Sequence, residues 1–483
     1  MRRILYLSFI IITLEATAQD NTGKWDLRRC VDYAMKNNIS VKQADVQARI
    51  AALQLKQAQL AKYPNASLSS GLGTQFGRSI DRTTNIYSDV QSLYQNIQLQ
   101  SGIQVYNFNR LKNTVDYAQF SAQAALMDVQ KAASDAALSV CTYYLQVLAA
   151  KEQVTISQVQ ITQTKAQLDI TQKKVLAGAL PELNQVELEA QLANDSSTYI
   201  TTQTTFEQNV LALKGVLNLD AAAPFEVVIP EASNIPVLPL AELQPQAVYQ
   251  LALGNQPLQK GNDLRIKAAD KNIQVYKAQM YPTLSLGVNL ASNFYNAFKK
   301  YGYSFNGYVP NGDLVTIGSN TYTVATPNAT ITQSKRSFGQ LWEGYGNQLS
   351  NNFGQTVGFS LSVPIFNNGQ YRIAYEQSKL NYKTQLLNKE GADNTLKQNI
   401  FTSYTNAISA LQKLNAGKKS VESNQKAYDF ATKRYDVGLL STLDLLTNQN
   451  NLLRAKLQQA SNEYDYIFKM KLLEFYKGQG LKL

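Results

Sequence analysis

Tyr94-Gln-Asn-Ile-Gln-Leu-Gln-Ser-Gly-Ile-Gln-Val-Tyr-Asn-Phe108, with the run that follows it, decides the fold. Ile97, Leu99, Ile103 and Val105 fall on one face of an extended chain, and Asn96, Gln98, Gln100 and Gln104 fall on the other. That is the period of two of a β-strand. From Arg110 to Ala177 there is neither proline nor glycine, and Ala, Gln, Leu, Lys and Val dominate. Most of these residues favour helix. At about 1.5 Å per residue the run predicts a rod on the order of 100 Å long. A break at Gly178–Pro181 ends it, and a second clean run goes from Glu182 to Lys214. A strand feeding a helix too long for a globular domain is the feature to explain.

Upstream, Trp25 to Tyr63 reads as one helix with a stripe of Val31, Ala34, Val41, Ala44, Ala48, Ala51 and Leu55, ended by Pro64. Ala66, Leu68, Leu72, Thr74 and Phe76 then alternate with Ser67, Ser69, Gly71, Gly73 and Gln75, a second strand. A polar loop is expected over 77–93. Downstream the same order returns. Gln244 to Tyr281 repeats the first helix, and Lys277-Ala-Gln-Met-Tyr-Pro282 echoes Gln57-Ala-Gln-Leu-Ala-Lys-Tyr-Pro64. Strands follow at Leu284–Leu290 and Val357–Ile365, then a helical run from about Tyr371 to Asp436, weakened at Gly391 and Gly417. Val437-Gly-Leu-Leu-Ser441 matches Ala177-Gly-Ala-Leu-Pro181, and Leu439 to Lys477 mirrors Glu182 to Lys214. The chain reads as a tandem duplication: first repeat 19–218, a proline-rich linker 219–240, second repeat 241–483. A Tyr-, Asn- and Gly-rich stretch, 294–355, lies outside the repeat and is expected as a long surface loop with a small hairpin around Gly318-Ser319-Asn320.

Composition narrows the chemistry. Arg2 and Arg3, the apolar run Ile4–Leu14 and Ala16-Thr17-Ala18 form a signal peptide, 1–18. There is no histidine, which removes His-based zinc sites and Ser-His triads. The charge is +11, from 46 Lys and Arg against 35 Asp and Glu. These cations are scattered along the helical runs, not clustered with aromatics, so no nucleic-acid stripe is expected. Ser423-Asn-Gln-Lys426 fits S-x-x-K but lies in a helical run without companion motifs, and Gly71-Leu-Gly73 misses the dinucleotide spacing. No enzyme, cofactor or metal is expected. Cys30 and Cys141 are the only cysteines, and the sequence leaves open whether they pair.

Each strand carries an apolar face over about ten residues, the length a tilted bilayer strand needs, and a Gln, Asn, Ser and Gly face suited to a wet lumen. Four strands cannot close a barrel, and an open edge in lipid leaves backbone groups unsatisfied. The chain must therefore oligomerise. The competing reading is a periplasmic coiled-coil structural protein with a soluble β cap.

The sequence resembles the TolC-like outer-membrane efflux factors across nearly all of the mature chain. Trp25-Asp-Leu-Arg-Arg-Cys-Val-Asp-Tyr-Ala-Met-Lys-Asn-Asn38, the Tyr-Pro junctions at Pro64 and Pro282, Val363-Pro-Ile-Phe366 and Tyr435-Asp-Val-Gly-Leu-Leu-Ser-Thr-Leu-Asp444 carry it. The resemblance implies an α+β membrane protein: a homotrimer with a twelve-stranded outer-membrane β-barrel, four strands per chain, continued by a long α-helical coiled-coil tunnel. It also implies a periplasmic adaptor, an inner-membrane RND or ABC pump, and export in a tripartite efflux or type I secretion system. The turns Gly178-Ala179-Leu180 and Gly438-Leu439-Leu440-Ser441 would dock the adaptor. Asp444 matches the family's aperture aspartate, and Tyr435 also matches. Asn184 stands at the corresponding place of the first repeat, Thr447 at the second acidic position, and Leu440 where the family carries an arginine. These departures imply a single acidic ring from Asp444 and not a fuller charged latch. A second role for Asp444 is helix stabilisation, in the first turn after a Ser441 cap.

Overall fold

A computed structural model describes residues 24–478 apart from 81–84, 86 and 231–234; the signal-peptide expectation lies outside the described residues. The helices come in matched pairs. α1 (Leu27–Asn37) and α5 (Pro245–Asn255) have 11 residues each; α2 (Ile39–Leu60) and α6 (Pro257–Ala278) have 22. α3 (Arg110–Leu176) and α8 (Gln370–Asp436) have 67, and α4 (Glu182–Leu217) and α9 (Thr442–Lys477) have 36. The 67-residue helices are each about 100 Å long. α8 runs unbroken through Gly391 and Gly417. At Gly417 a Cβ would sit 3.2 Å from Asn462 Nδ2, so the missing side chain admits α9 closely.

The helix expected over 25–63 is two helices. Asn38 is extended (φ −60°, ψ 137°) and separates α1 from α2. Its amide nitrogen Nδ2 donates to the carbonyl of Val216, 2.9 Å away, and its Oδ1 accepts from the Ser40 N–H. This Asx turn supplies the break that no Gly or Pro announces. The second repeat breaks at the matching place, Gln256, where Pro257 biases the preceding residue away from helix.

The chain divides into two compact units. One holds Met1–Gln54, Tyr117–Ala269 and Leu380–Leu483, and its described residues are mostly helical. Its main core joins Leu27, Cys30 and Ala34 of α1 to Val140, Tyr144 and Leu148 of α3, Leu213 and Leu217 of α4, and Ile467 of α9. A second core sets Val248 and Ala252 of α5 against Ile400 of α8 and Met470 and Leu473 of α9. Cys30 and Cys141 share the first core as free thiols, and burial pushes each up to about 12. The segment expected as a linker is tied down. Glu226–Val227 pairs in parallel with Lys24–Trp25, and the buried Lys214 donates to the carbonyls of Ala221 and Ala223 at 2.6 Å. Tyr144 Oη donates to the carbonyl of Val228.

The other unit, Leu55–Asp116 with Asp270–Lys379, carries the sheet. Label the short strands at Lys24–Trp25 and Glu226–Val227 β1 and β4. Then β2 (Asn65–Ile80), β3 (Tyr87–Tyr106), β5 (Thr283–Ala297) and β8 (Gly354–Ser362) form one antiparallel sheet in the order β2-β3-β5-β8. Register aligns the faces: Leu68, Leu99 and Leu290 are in line, and so are Ser67, Gln100, Asn289 and Thr356. Most of the loop expected over 77–93 is strand, since β2 and β3 stay paired out to Ile80 and Tyr87. β8 stops at Ser362 rather than at Ile365, one residue before the segment containing Pro364, whose nitrogen has no hydrogen to offer a ladder. β2 and β8 have one unpaired edge each within the chain.

The surface loop expected over 294–355 is ordered secondary structure. β6 (Lys299–Ile317) and β7 (Asn320–Lys335) form a long hairpin that turns at Gly318 (φ 68°). A short helix α7 (Tyr345–Asn351) follows. α7 covers the stretch of β5 that outruns β8: Gln348 Oε1 accepts from the Tyr295 N–H, and Asn352 Nδ2 donates to the carbonyl of Asn293. Phe294, fully buried, stacks on Trp342 beneath it. Covering a bare strand edge with side-chain hydrogen bonds is how a sheet avoids a stray partner.

Candidate functional site

Two surfaces carry functional chemistry: the sheet faces and the two helical turns. On one sheet face Leu68, Leu72, Phe76, Val357, Phe359 and Leu361 are each at least 58% exposed. Six large apolar side chains pointing away from any core need an apolar surrounding. At one end Phe108 meets Tyr106 edge-on and stacks on Tyr281, with ring centroids 4.9 and 4.7 Å apart, and amphipathic tyrosine rings are those expected at a membrane interface. The opposite face is Ser, Gln, Asn and Gly, and Gln98 Nε2 donates across it to Asn289 Oδ1 at 2.8 Å. A concavity of about 980 Å³ runs along this polar wall. No helix among the described residues is long and apolar enough to cross a membrane.

Both helical turns use one backbone device. Gly178 (φ 72°) and Gly438 (φ 76°) are left-handed, and the N–H groups of Ala179 and Leu439 reach back to the carbonyls of Lys174 and Arg434. These are Schellman closures, which glycine alone adopts without strain. Gly178, Ala179, Gly438, Leu439 and Ser441 are exposed, while Leu180 and Leu440 are partly buried. Leu440 packs on the cluster of Ala431, Tyr435 and Leu445.

Asp444 is exposed and engaged locally. Ser441 Oγ accepts from the Asp444 N–H at 3.1 Å and donates to Asp444 Oδ2 at 2.7 Å. This is a serine N-cap whose hydroxyl also bonds the carboxylate, which lies at the positive end of α9. Thr447 is also exposed, and its hydroxyl is turned back to the Leu443 carbonyl. Asn184 is half-buried on α4, after a Pro181 cap that offers no side-chain acceptor. No described hydrogen bond joins Asn184, Asp444 and Thr447. Tyr435 is different: 4% exposed, it places its hydroxyl 3.3 Å from Thr171 Oγ1 and accepts from Thr442 Oγ1, with Lys174 Nζ over its ring.

Sequence reasoning missed a buried polar network behind the turns. Asp195, 2% exposed, accepts from Thr164 Oγ1 at 2.6 Å and Gln191 Nε2 at 2.7 Å. Gln449 Nε2 donates to Thr164 Oγ1, and Gln191 exchanges hydrogen bonds with Asn450. The signal was present in Ser157, Gln160, Thr164, Gln167 and Thr171, alternating steps of three and four along α3. That spacing puts polar residues on a coiled-coil seam where apolar ones are usual.

A sheet with one exposed apolar face and one polar face, carried with helices of this length, is the architecture of an outer-membrane channel of the TolC type. The chain belongs to the outer membrane efflux protein family, whose model it matches over residues 30–219 and 248–474. Membership places it in the outer membrane of a Gram-negative cell, with its helices in the periplasm. It is 30% identical to outer membrane protein TolC of Escherichia coli over 117 residues, which spans 24% of this chain and 24% of TolC. An uncharacterized protein of Haemophilus influenzae is 23% identical over 451 residues, 90% of this chain and 85% of its own. Among solved structures, CusC superposes with a TM-score of 0.72 at 16% identity, covering 94% of this chain and 92% of CusC. At that identity the likeness is one of fold.

Proposed function

We propose that three copies of the chain close a twelve-stranded barrel and act as the passive exit duct of a tripartite efflux or type I secretion system. One observation carries this reading: a four-stranded sheet with two free edges and an exposed apolar face opposite a polar concave wall. In lipid such edges must pair with other copies, since no water is there to satisfy them. Twelve strands leave a hollow lumen that four or eight do not. The polar wall faces that lumen, and the helical unit forms the periplasmic tunnel. The two repeats, 19–218 and 241–483 about the segment 219–240, each contribute two strands and one long helical hairpin.

The exposed turns at Gly178-Ala179-Leu180 and Gly438-Leu439-Leu440-Ser441 dock a periplasmic adaptor, which couples the duct to an RND or ABC pump. Three copies of Asp444 form an acidic ring at the aperture, and carboxylates in a narrow throat raise the local cation concentration. Its bond to Ser441 leaves this role intact, because one carboxylate both caps a helix and carries charge. Purified protein in planar bilayers tests the reading. Trimers by light scattering with discrete conductance steps are expected, and Asp444→Ala is expected to weaken block by divalent cations. Release from membranes by high salt without detergent, as a water-soluble single subunit, would establish the periplasmic coiled-coil protein instead.

A further inference from the structure

Among the described residues, one charged side chain lines the polar concavity. Of its lining residues, which include Ser67, Gln100, Gln104, Asn289 and Ser360, Arg110 alone is ionic, and no carboxylate lines it. Arg110 is the first residue of α3, the positive end of a helix, where a cation works against the dipole. Helix stability therefore does not explain it. Its place is nevertheless fixed in detail. Phe108 (φ 47°) and Asn109 (φ 61°) are both left-handed, which for phenylalanine is a strained conformation, held here by Tyr106 and Tyr281 packed on its ring. The Asn107 carbonyl accepts from the Arg110 N–H at 2.9 Å, and Asn107 Oδ1 accepts from Leu111. Arg110 Nη2 donates to Gln104 Oε1 at 3.0 Å, and its buried Nε has no partner.

The second repeat makes the same turn, with Asn368 (φ 55°) and Gly369 (φ 74°) left-handed and the Asn367 carbonyl accepting from Gln370. There the equivalent residue is the neutral Gln370. One arginine per chain is thus present at a junction where the fold accepts an uncharged amide.

We infer that Arg110 is an anion-binding point in the channel wall, taking the carboxylate, phosphate or sulfate group of a passing solute. The inference rests on the reading that the polar sheet face lines the lumen. A guanidinium with no opposing carboxylate, on a wall of neutral amides and hydroxyls, concentrates anions beside it. Three copies would form a basic ring in the barrel, of opposite sign to the aperture carboxylates.

Reversal potentials in a tenfold KCl gradient test it. Arg110→Gln is expected to lower the chloride-to-potassium permeability ratio by about twofold or more, with Arg110→Lys close to wild type. Arg110→Cys provides a second arm, because Cys30 and Cys141 are buried and unreactive. A cationic thiol reagent should restore the wild-type ratio and an anionic one should lower it further. Millimolar sodium citrate should reduce wild-type current more than Arg110→Gln current. Pores with an unchanged ratio in Arg110→Gln or in unmodified Arg110→Cys, or a cysteine inaccessible from the lumen, would overturn the inference. A wild-type chain that forms no pore would instead overturn the channel reading itself.

Discussion

The two helical turns share a backbone and differ in what holds them. The turn at Gly438 carries its own cap: Ser441 caps α9, Asp444 accepts from the Ser441 hydroxyl, and Tyr435 sits buried between Thr171 and Thr442. The turn at Gly178 has Pro181 as its cap, with no side-chain acceptor, and the half-buried Asn184 in place of the acid. Its tethers lie on the helices behind it: Thr171 on α3 meets Tyr435, and Asp195 on α4 accepts from Thr164. A duplicated element thus keeps its geometry while its anchoring moves from the turn itself to the helix behind it.

Substitutions break or sharpen that contrast. Tyr435→Ala should do most, about 3–4 kcal/mol, because it leaves a cavity and frees two threonine hydroxyls. Denaturant unfolding measures it, and a loss below about 1 kcal/mol would mean the second turn is not anchored by this ring. Asp195→Ala should cost about 2–3 kcal/mol by orphaning Thr164 and Gln191. Hydrogen exchange should then rise over the first half of α4 and not at the start of α9; equal rises would erase the distinction between the turns. Ser441→Ala should cost about 1 kcal/mol, seen as faster exchange confined to residues 442–445. Asn184→Asp, which gives the first turn the acid of the second, should stabilise it by about 0.5 kcal/mol in low salt and less in high salt.

Most of the helical plan was legible because Gly and Pro punctuate it: α3 and α4 begin at the expected residues, and α9 starts only after the turn it was expected to include. The break at Asn38 was not, since an asparagine ends a helix only when its side chain finds a partner, here 178 residues away. The tip of the β6–β7 hairpin, around Gly318-Ser319-Asn320, was legible, but its full length stayed hidden because two irregularities in its register, between Phe305 and Tyr308 and between Pro310 and Leu314, scramble the alternation that marks a strand. At the candidate site, the Ser441 cap with Asp444 in the first turn is a local pattern and could be read from spacing alone. The contacts of Tyr435 with Thr171 and of Gln449 with Thr164 join helices 264 and 285 residues apart in sequence. No local pattern encodes those pairings.

The identical lengths of the paired helices, 67 with 67 and 36 with 36, work as a ruler with four matched arms. Excising one heptad from α3 alone would pull its end back by about 10 Å and strand Thr171 out of reach of Tyr435. A shorter version of this protein would therefore need concerted deletions in all four arms, so its lineage should change reach in quantised steps and not residue by residue.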